Sequence, residues 1–273
     1  MQYKPVRFFL ITFILTWSSW FLSAYFSYQA GMEKYQMFFM FPGLFAPSIA
    51  ALYMLSGSQN RVLRRDFWDR LRPGKIKLKF VPPLLLLVPF VVFAATAISL
   101  LFGMSADQFG MSDEFLVMKG QGLLSISILF LAPLFEELGW RGYGVDSLRE
   151  KFDIFRTSFL FGFLWGLWHL PLFFINGYYH HTLWETNFFY VLNFFLSVIT
   201  AAILMNWIYF KNGRSILSAI IFHFLLDFFY VFFAVEPFTK CIATVVMLLI
   251  ATIIILRDKK FFLPQENKKN PFP

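Results

Sequence analysis

Two adjacent glutamates and an arginine, in residues 133–144 (PLFEELGWRGYG), follow directly on the apolar run GLLSISILFLAPLF. Further along, WGLWH ends on His169, and HFLLD carries His223 and Asp227. A carboxylate, two imidazoles and a second acid suit hydrolysis by an activated water. A desolvated glutamate can serve as general base, and a histidine facing it can hold the same water. Two further polar groups on another helix can stabilise the oxyanion of a tetrahedral intermediate. Glu136, His169 and His223 could equally bind a divalent metal such as zinc. The common H-E-x-x-H metalloprotease pattern is absent. A serine nucleophile has weak support, with Ser215 and Ser218 the nearest hydroxyls.

Spacing gives these groups directions. Glu137 and Arg141 are four residues apart and share a helix face, where they can pair. Glu136 is turned about 100° from Glu137, so the two carboxylates cannot point the same way. The stretch therefore reads as one working acid beside one anchored acid. His223 and Asp227, also four apart, share a face.

The elements that must position these residues are membrane helices. The chain has 273 residues, 58% hydrophobic and 15% charged, with 40 phenylalanines and 8 tryptophans. A soluble domain of that length does not carry so few charges. About 20 apolar residues cross a bilayer, and eight segments qualify: 8–27, 38–57, 80–103, 121–141, 157–176, 187–210, 215–234 and 239–257. The expected fold is an all-α polytopic membrane bundle of about eight transmembrane helices. A single integral membrane domain fills residues 1–260, and 261–273 form a polar, disordered tail. No small-residue cleavage site follows the first segment, so it is expected to stay as a span.

Charge distribution supports the count. With the N-terminus inside, the N-terminal tail, 58–79, 141–156, 211–214 and the C-terminal tail hold 21 of the 24 Lys and Arg. Only Lys34, Lys119 and Lys240 fall outside. This predicts an integral protein of the cell membrane with both termini cytoplasmic. The net charge of +8 then follows from topology and from contact of the loop at 58–79 with the lipid bilayer, and implies no nucleic-acid partner. That loop is an orientation signal, or beyond that a lipid or substrate contact. The lone Cys241 cannot form an intrachain disulfide.

Charges inside a span cost a few kcal/mol each and mark function by default. Setting aside tyrosines and the cysteine, the ionisable residues in or at the edge of the spans are Glu136, Glu137, Arg141, His169, His223 and Asp227. At ~1.5 Å per residue, Glu136 lies roughly 8 Å, His223 about 12 Å, and His169 and Asp227 about 18 Å from the same membrane face. All six can meet in the cytoplasmic half of one bundle. His180 and His181 fall in an outside loop and are expected to be exposed and uninvolved. Asn193 and Asn206 are expected to join helices by hydrogen bonds.

These stretches resemble the signatures of the CPBP family, the CAAX proteases and bacteriocin-processing (Abi) enzymes. APLFEELGWRGY matches E-E-x-x-x-R, WGLWH matches the aromatic-x-x-x-H motif with Trp165 in place of Phe, and HFLLD matches H-x-x-x-N/D. YFKNGRSILSAIIFH is similar to the family's Y-x-x-x-G-x-S approach. The signatures cover residues 131–229. The resemblance implies an intramembrane endopeptidase like the type II CAAX prenyl endopeptidases. Glu136 then matches the water-activating glutamate, His169 its partner, and His223 and Asp227 the oxyanion pair, with Glu137 and Arg141 supporting the site. Asp227 stands where the prenyl-protease branch has Asn. An ionised Asp cannot donate a hydrogen bond, so it must be protonated or orient His223 instead. A metal-free glutamate mechanism without cofactor is expected, with zinc as the alternative. The expected partner is a peptide or protein substrate at the membrane, either a CAAX-type tail or a bacteriocin or leader peptide. The rival readings are a non-catalytic immunity or scaffold protein and a proton-coupled transporter; for the latter, no paired repeat is visible.

Overall fold

The computed structural model describes residues 3–58 and 60–263. The helices are α1 (Pro5–Ser27), α2 (Glu33–Ser56), α3 (Arg61–Asp69), α4 (Val81–Leu100), α5 (Asp113–Gly120), α6 (Leu123–Gly139) and α7 (Val145–Arg149). They continue with α8 (Ile154–Trp168), α9 (Tyr179–Thr186), α10 (Phe188–Lys211), α11 (Ile216–Phe232), α12 (Pro237–Arg257) and α13 (Lys259–Phe262). No strand occurs among the described residues, only an isolated bridge between Met111 and Phe233.

The all-α membrane bundle is as expected. Each of the eight expected segments has its helix: α1, α2, α4, α6 with α7, α8, α10, α11 and α12. Among the described residues, six helices are long and apolar enough to cross a membrane on their own. The fourth segment departs from the expectation, because α5 and the helix at Ser125–Arg149 meet at 107°. Gly122, at φ 99°, supplies the left-handed backbone beside that bend. The seventh, α11, has 17 residues and is about 26 Å long. The expected disordered tail lies, from residue 264 on, outside the described residues; before it, Phe262 is buried in α13.

Lipid offers apolar side chains no reason to leave it, so small polar residues join the helices. The stripe Thr16, Ser19 and Ser23 on α1 donates to the carbonyls of Gly43, Phe39 and Gln36 on α2, at 3.0, 2.6 and 3.0 Å. The Gly43 carbonyl is available because Pro47, four residues on, has no N–H to give it. Ser48 of α2 donates to the Phe135 carbonyl of α6. Gly139 brings α6 so close that a Cβ there would sit 2.3 Å from the Pro47 backbone.

The basic segments predicted to share one side do meet at one end of the bundle. Arg70, fully buried after α3, pairs with Asp146 and donates to the Tyr209 hydroxyl, both at 2.7 Å. Arg214 pairs with Asp146 and with Asp66, the latter at 2.9 Å. The Tyr3 amide donates to Glu150 at 3.1 Å, and Lys211 pairs with Asp258. Arg214 has φ 63°, a conformation rare outside glycine, and these ion pairs hold it there. The loop at 58–79 thus does more than orient the chain: Leu63, Phe67 and Arg70, on one face, are buried.

Candidate active site

The two glutamates of α6 diverge as their spacing requires. Glu136 lines a cavity of about 780 Å³. Its Oε2 accepts from the indoles of Trp165 at 3.0 Å and Trp140 at 3.3 Å. Glu137 is fully buried beside the cavity and accepts from Arg141 Nη1 with both oxygens, at 2.9 and 2.8 Å. Arg141 Nε donates to Asn206 at 3.2 Å, and the guanidinium lies 4.6 Å from the Phe161 ring centroid. Asn206 also donates to Ser158 at 3.1 Å, so it joins α10 to α8 as expected. Asn193 lines the cavity.

Arg141 stands in a π turn, Trp140–Gly144. Such a turn carries one residue more than an α turn and leaves carbonyls in need of donors. Arg70 supplies them, donating to the Arg141 and Gly142 carbonyls at 2.7 and 2.8 Å. Tyr209 adds a bond to the Arg141 carbonyl at 3.1 Å. The Y-x-x-x-G-x-S stretch is thereby explained: Tyr209 braces the π turn, Gly213 turns at φ 60°, and Ser215 caps α11 by accepting from the Ser218 amide at 3.2 Å. Ser218 donates to the Ser215 carbonyl at 2.7 Å, and both hydroxyls are fully buried. Neither lines the cavity, so the serine-nucleophile alternative has no geometry behind it.

His169 follows the last residue of α8, where the approach of Pro171 turns the chain out of α geometry. Its Nδ1 lies 2.7 Å from the Trp165 carbonyl. A carbonyl only accepts, so Nδ1 carries the proton and Nε2 presents a lone pair. Trp168, beside it, donates to Thr16 at 2.7 Å and ties this helix end to α1. His223 of α11 places Nδ1 3.0 Å from Glu137 and Nε2 3.7 Å from Asp227. Its ring meets Trp165 edge to face at 5.0 Å. Glu136, His169, His223 and Asp227 all line the one cavity. The structure therefore brings together the groups singled out from sequence, and Glu137 has a second partner, His223, that spacing alone did not suggest. Among the described residues no three His, Cys, Asp or Glu side chains converge on one point.

One expectation is overturned. His180 is neither exposed nor remote: it is 8% exposed, lines the cavity, and stacks on His169 at 5.7 Å with 14° between the rings. α9 folds back against the 3-10 turn Leu170–Phe174, and Phe194 of α10 closes over the ring at 4.6 Å. The two-residue run of histidines read as loop, but the pair lies in a short helix, where neighbouring residues are turned about 100° from one another. His181 is not exposed either: it is half-buried, with Nδ1 2.8 Å from the Phe173 carbonyl. The cavity reaches the surface near Glu114, Gly177 and Thr182, all exposed. That is the end of the bundle away from the basic segments.

The profile of the type II CAAX prenyl endopeptidase Rce1-like family matches residues 119–229. The CAAX prenyl protease 2 of Methanococcus maripaludis is 41% identical over 262 residues, covering 96% of both chains. The chain belongs to the type II CAAX prenyl endopeptidase family. Family membership makes it a membrane-embedded endopeptidase, and the matched region contains all six ionisable residues read from the sequence. The resemblance to the wider CPBP family narrows to its prenyl-endopeptidase branch; nothing in these matches speaks for a bacteriocin or immunity role.

Proposed function

We propose that the protein cleaves C-terminal Cys-a-a-X tails of lipid-modified substrates, using a water activated by Glu136. The observation that carries this is the division between the two glutamates. Glu137 is held by Arg141 and His223, whereas Glu136 keeps Oε1 free of any protein donor among the described residues and faces the cavity. In this reading a water held between Glu136 Oε1 and His169 Nε2 attacks the peptide carbonyl carbon, and Glu136 takes its proton. His223, set by Glu137 and Asp227, stabilises the oxyanion. Collapse breaks the C–N bond, and Glu136 returns the proton to the leaving amine. Asp227 acts by orienting His223. The aromatic walls suit a lipidated cysteine, and the substrate approaches along the bilayer of the cell membrane.

The reading is tested by mapping new protein termini in host membranes with the wild type and an equally expressed Glu136→Gln variant. Termini that appear with the wild type alone would name reaction and substrate. Identical maps would sink the proposal and favour a scaffold. We take the reaction to be metal-free, so purified protein should keep its activity after chelator treatment and dialysis. Loss restored by zinc would overturn that part.

A further inference from the structure

Beyond the reacting groups, one end of the cavity holds polar atoms that the proposed chemistry leaves unused. His180 is buried, yet neither of its ring nitrogens has a hydrogen-bond partner. Next to it, Tyr179 meets the His180 ring edge to face at 5.5 Å. The Lys240 ammonium donates to the Tyr179 hydroxyl at 3.1 Å and lies 4.2 Å from that ring's centroid. Lys240 is the one Lys or Arg among the described residues lining the cavity. Its partners are a phenol and aromatic rings rather than a carboxylate, so two of its three N–H groups are unspent. The acidic lining residue at this end, Glu114, is exposed in the first turn of α5.

Lys240 is half-buried at the cavity wall, and an ammonium so placed gains from an anion beside it. An ammonium, a phenol and an imidazole with free nitrogens form a receptor for a carboxylate group. We propose that Lys240, Tyr179 and His180 bind the free C-terminal carboxylate of the substrate peptide. From His169 the route runs through His180 and Tyr179 to Lys240 in contacts of 5.7, 5.5 and 4.2 Å. An extended three-residue tail spans about 10 Å, a distance of the same order. The enzyme thus measures its cleavage point from the chain end. A tail with a blocked or displaced terminus leaves Lys240 without its counter-ion. The inference rests on the peptidase reading above and adds a substrate requirement to it.

The test compares two lipidated peptides of one sequence, one ending in a free acid and one in a carboxamide. A charged hydrogen bond gained by the acid alone is worth about 10- to 100-fold. The wild type should prefer the acid by that factor in kcat/KM, mostly through KM. Lys240→Met should narrow the preference to about twofold, and Tyr179→Phe should reduce it in part. Thermal unfolding in detergent identifies any variant that fails to fold, and Tyr179→Phe carries the comparison if Lys240→Met does not fold. Equal cleavage of both peptides by the wild type overturns the carboxylate site and leaves the peptidase reading standing. An undiminished preference in folded Lys240→Met overturns it as well. No cleavage of either peptide by the wild type overturns both readings.

Discussion

Glutamine at position 136 and glutamine at position 137 should produce opposite phenotypes, although the two residues adjoin. Glu137 accepts two bonds from one guanidinium nitrogen and a third from His223 Nδ1, with no solvent access. An amide offers one acceptor oxygen and turns an N–H donor toward Arg141 or His223, so a buried cation loses its counter-charge. Breaking such a pair from one side costs about 3–5 kcal/mol, a fall in melting temperature of roughly 10 °C for a chain of this size. At Glu136, by contrast, an amide oxygen can still accept from both indoles, and the other atom faces the cavity. Glu136→Gln should therefore melt within about 3 °C of the wild type, a change of under ~1 kcal/mol. Its peptide cleavage should fall by about 10²–10⁴, the range of a lost general base. The assay is thermal unfolding in detergent alongside cleavage of a lipidated peptide. The reasoning is refuted if Glu137→Gln melts with the wild type, or if Glu136→Gln keeps activity within tenfold.

Three further outcomes follow from the packing. Asp146→Asn leaves Arg70 and Arg214 short of a shared buried carboxylate; folded yield should drop with a loss of about 3–5 kcal/mol, and unchanged yield and melting would refute it. Gly139→Ala drives a Cβ into the Pro47 backbone at 2.3 Å; such overpacking costs about 1–3 kcal/mol, read as a lower melting temperature and reduced cleavage in a protein that still inserts. Single cysteines at Arg72 and Thr182, made in a Cys241→Ala background, should be labelled by an impermeant thiol reagent from opposite sides of the membrane. Labelling from one side would refute the assignment of the two bundle ends.

The fold was legible because membrane helices announce themselves by length and apolarity, and the basic segments sort by side. Four lining residues were legible because charge inside a span is rare enough to be read individually. The divergence of Glu136 from Glu137 follows from 3.6 residues per turn. What stayed hidden depended on contacts across distant segments. Arg70 looked like one basic loop residue among several, and only the π turn at Trp140–Gly144 explains its burial. Its one sequence trace was the spacing of Leu63, Phe67 and Arg70 on one face of α3. His180 was hidden for a different reason. An eight-residue helix, Tyr179–Thr186, carries too few turns to show a period, so its buried face could not be told from its exposed one.

The ion lattice of Arg70, Asp146, Arg214 and Asp66 lies at one end of the bundle, and the cavity meets the surface at the other. Durability and discrimination are therefore set by separate parts of the chain. On the proposed carboxylate site, changes around Tyr179, His180 and Lys240 would retune which tails are admitted while the lattice keeps the helices assembled. Damage to the lattice lowers the number of working molecules without altering their choice of tail. A lineage facing new substrates could thus diversify at the mouth, where Glu114 and Thr182 already stand exposed, without renegotiating the architecture that holds Glu136 in place.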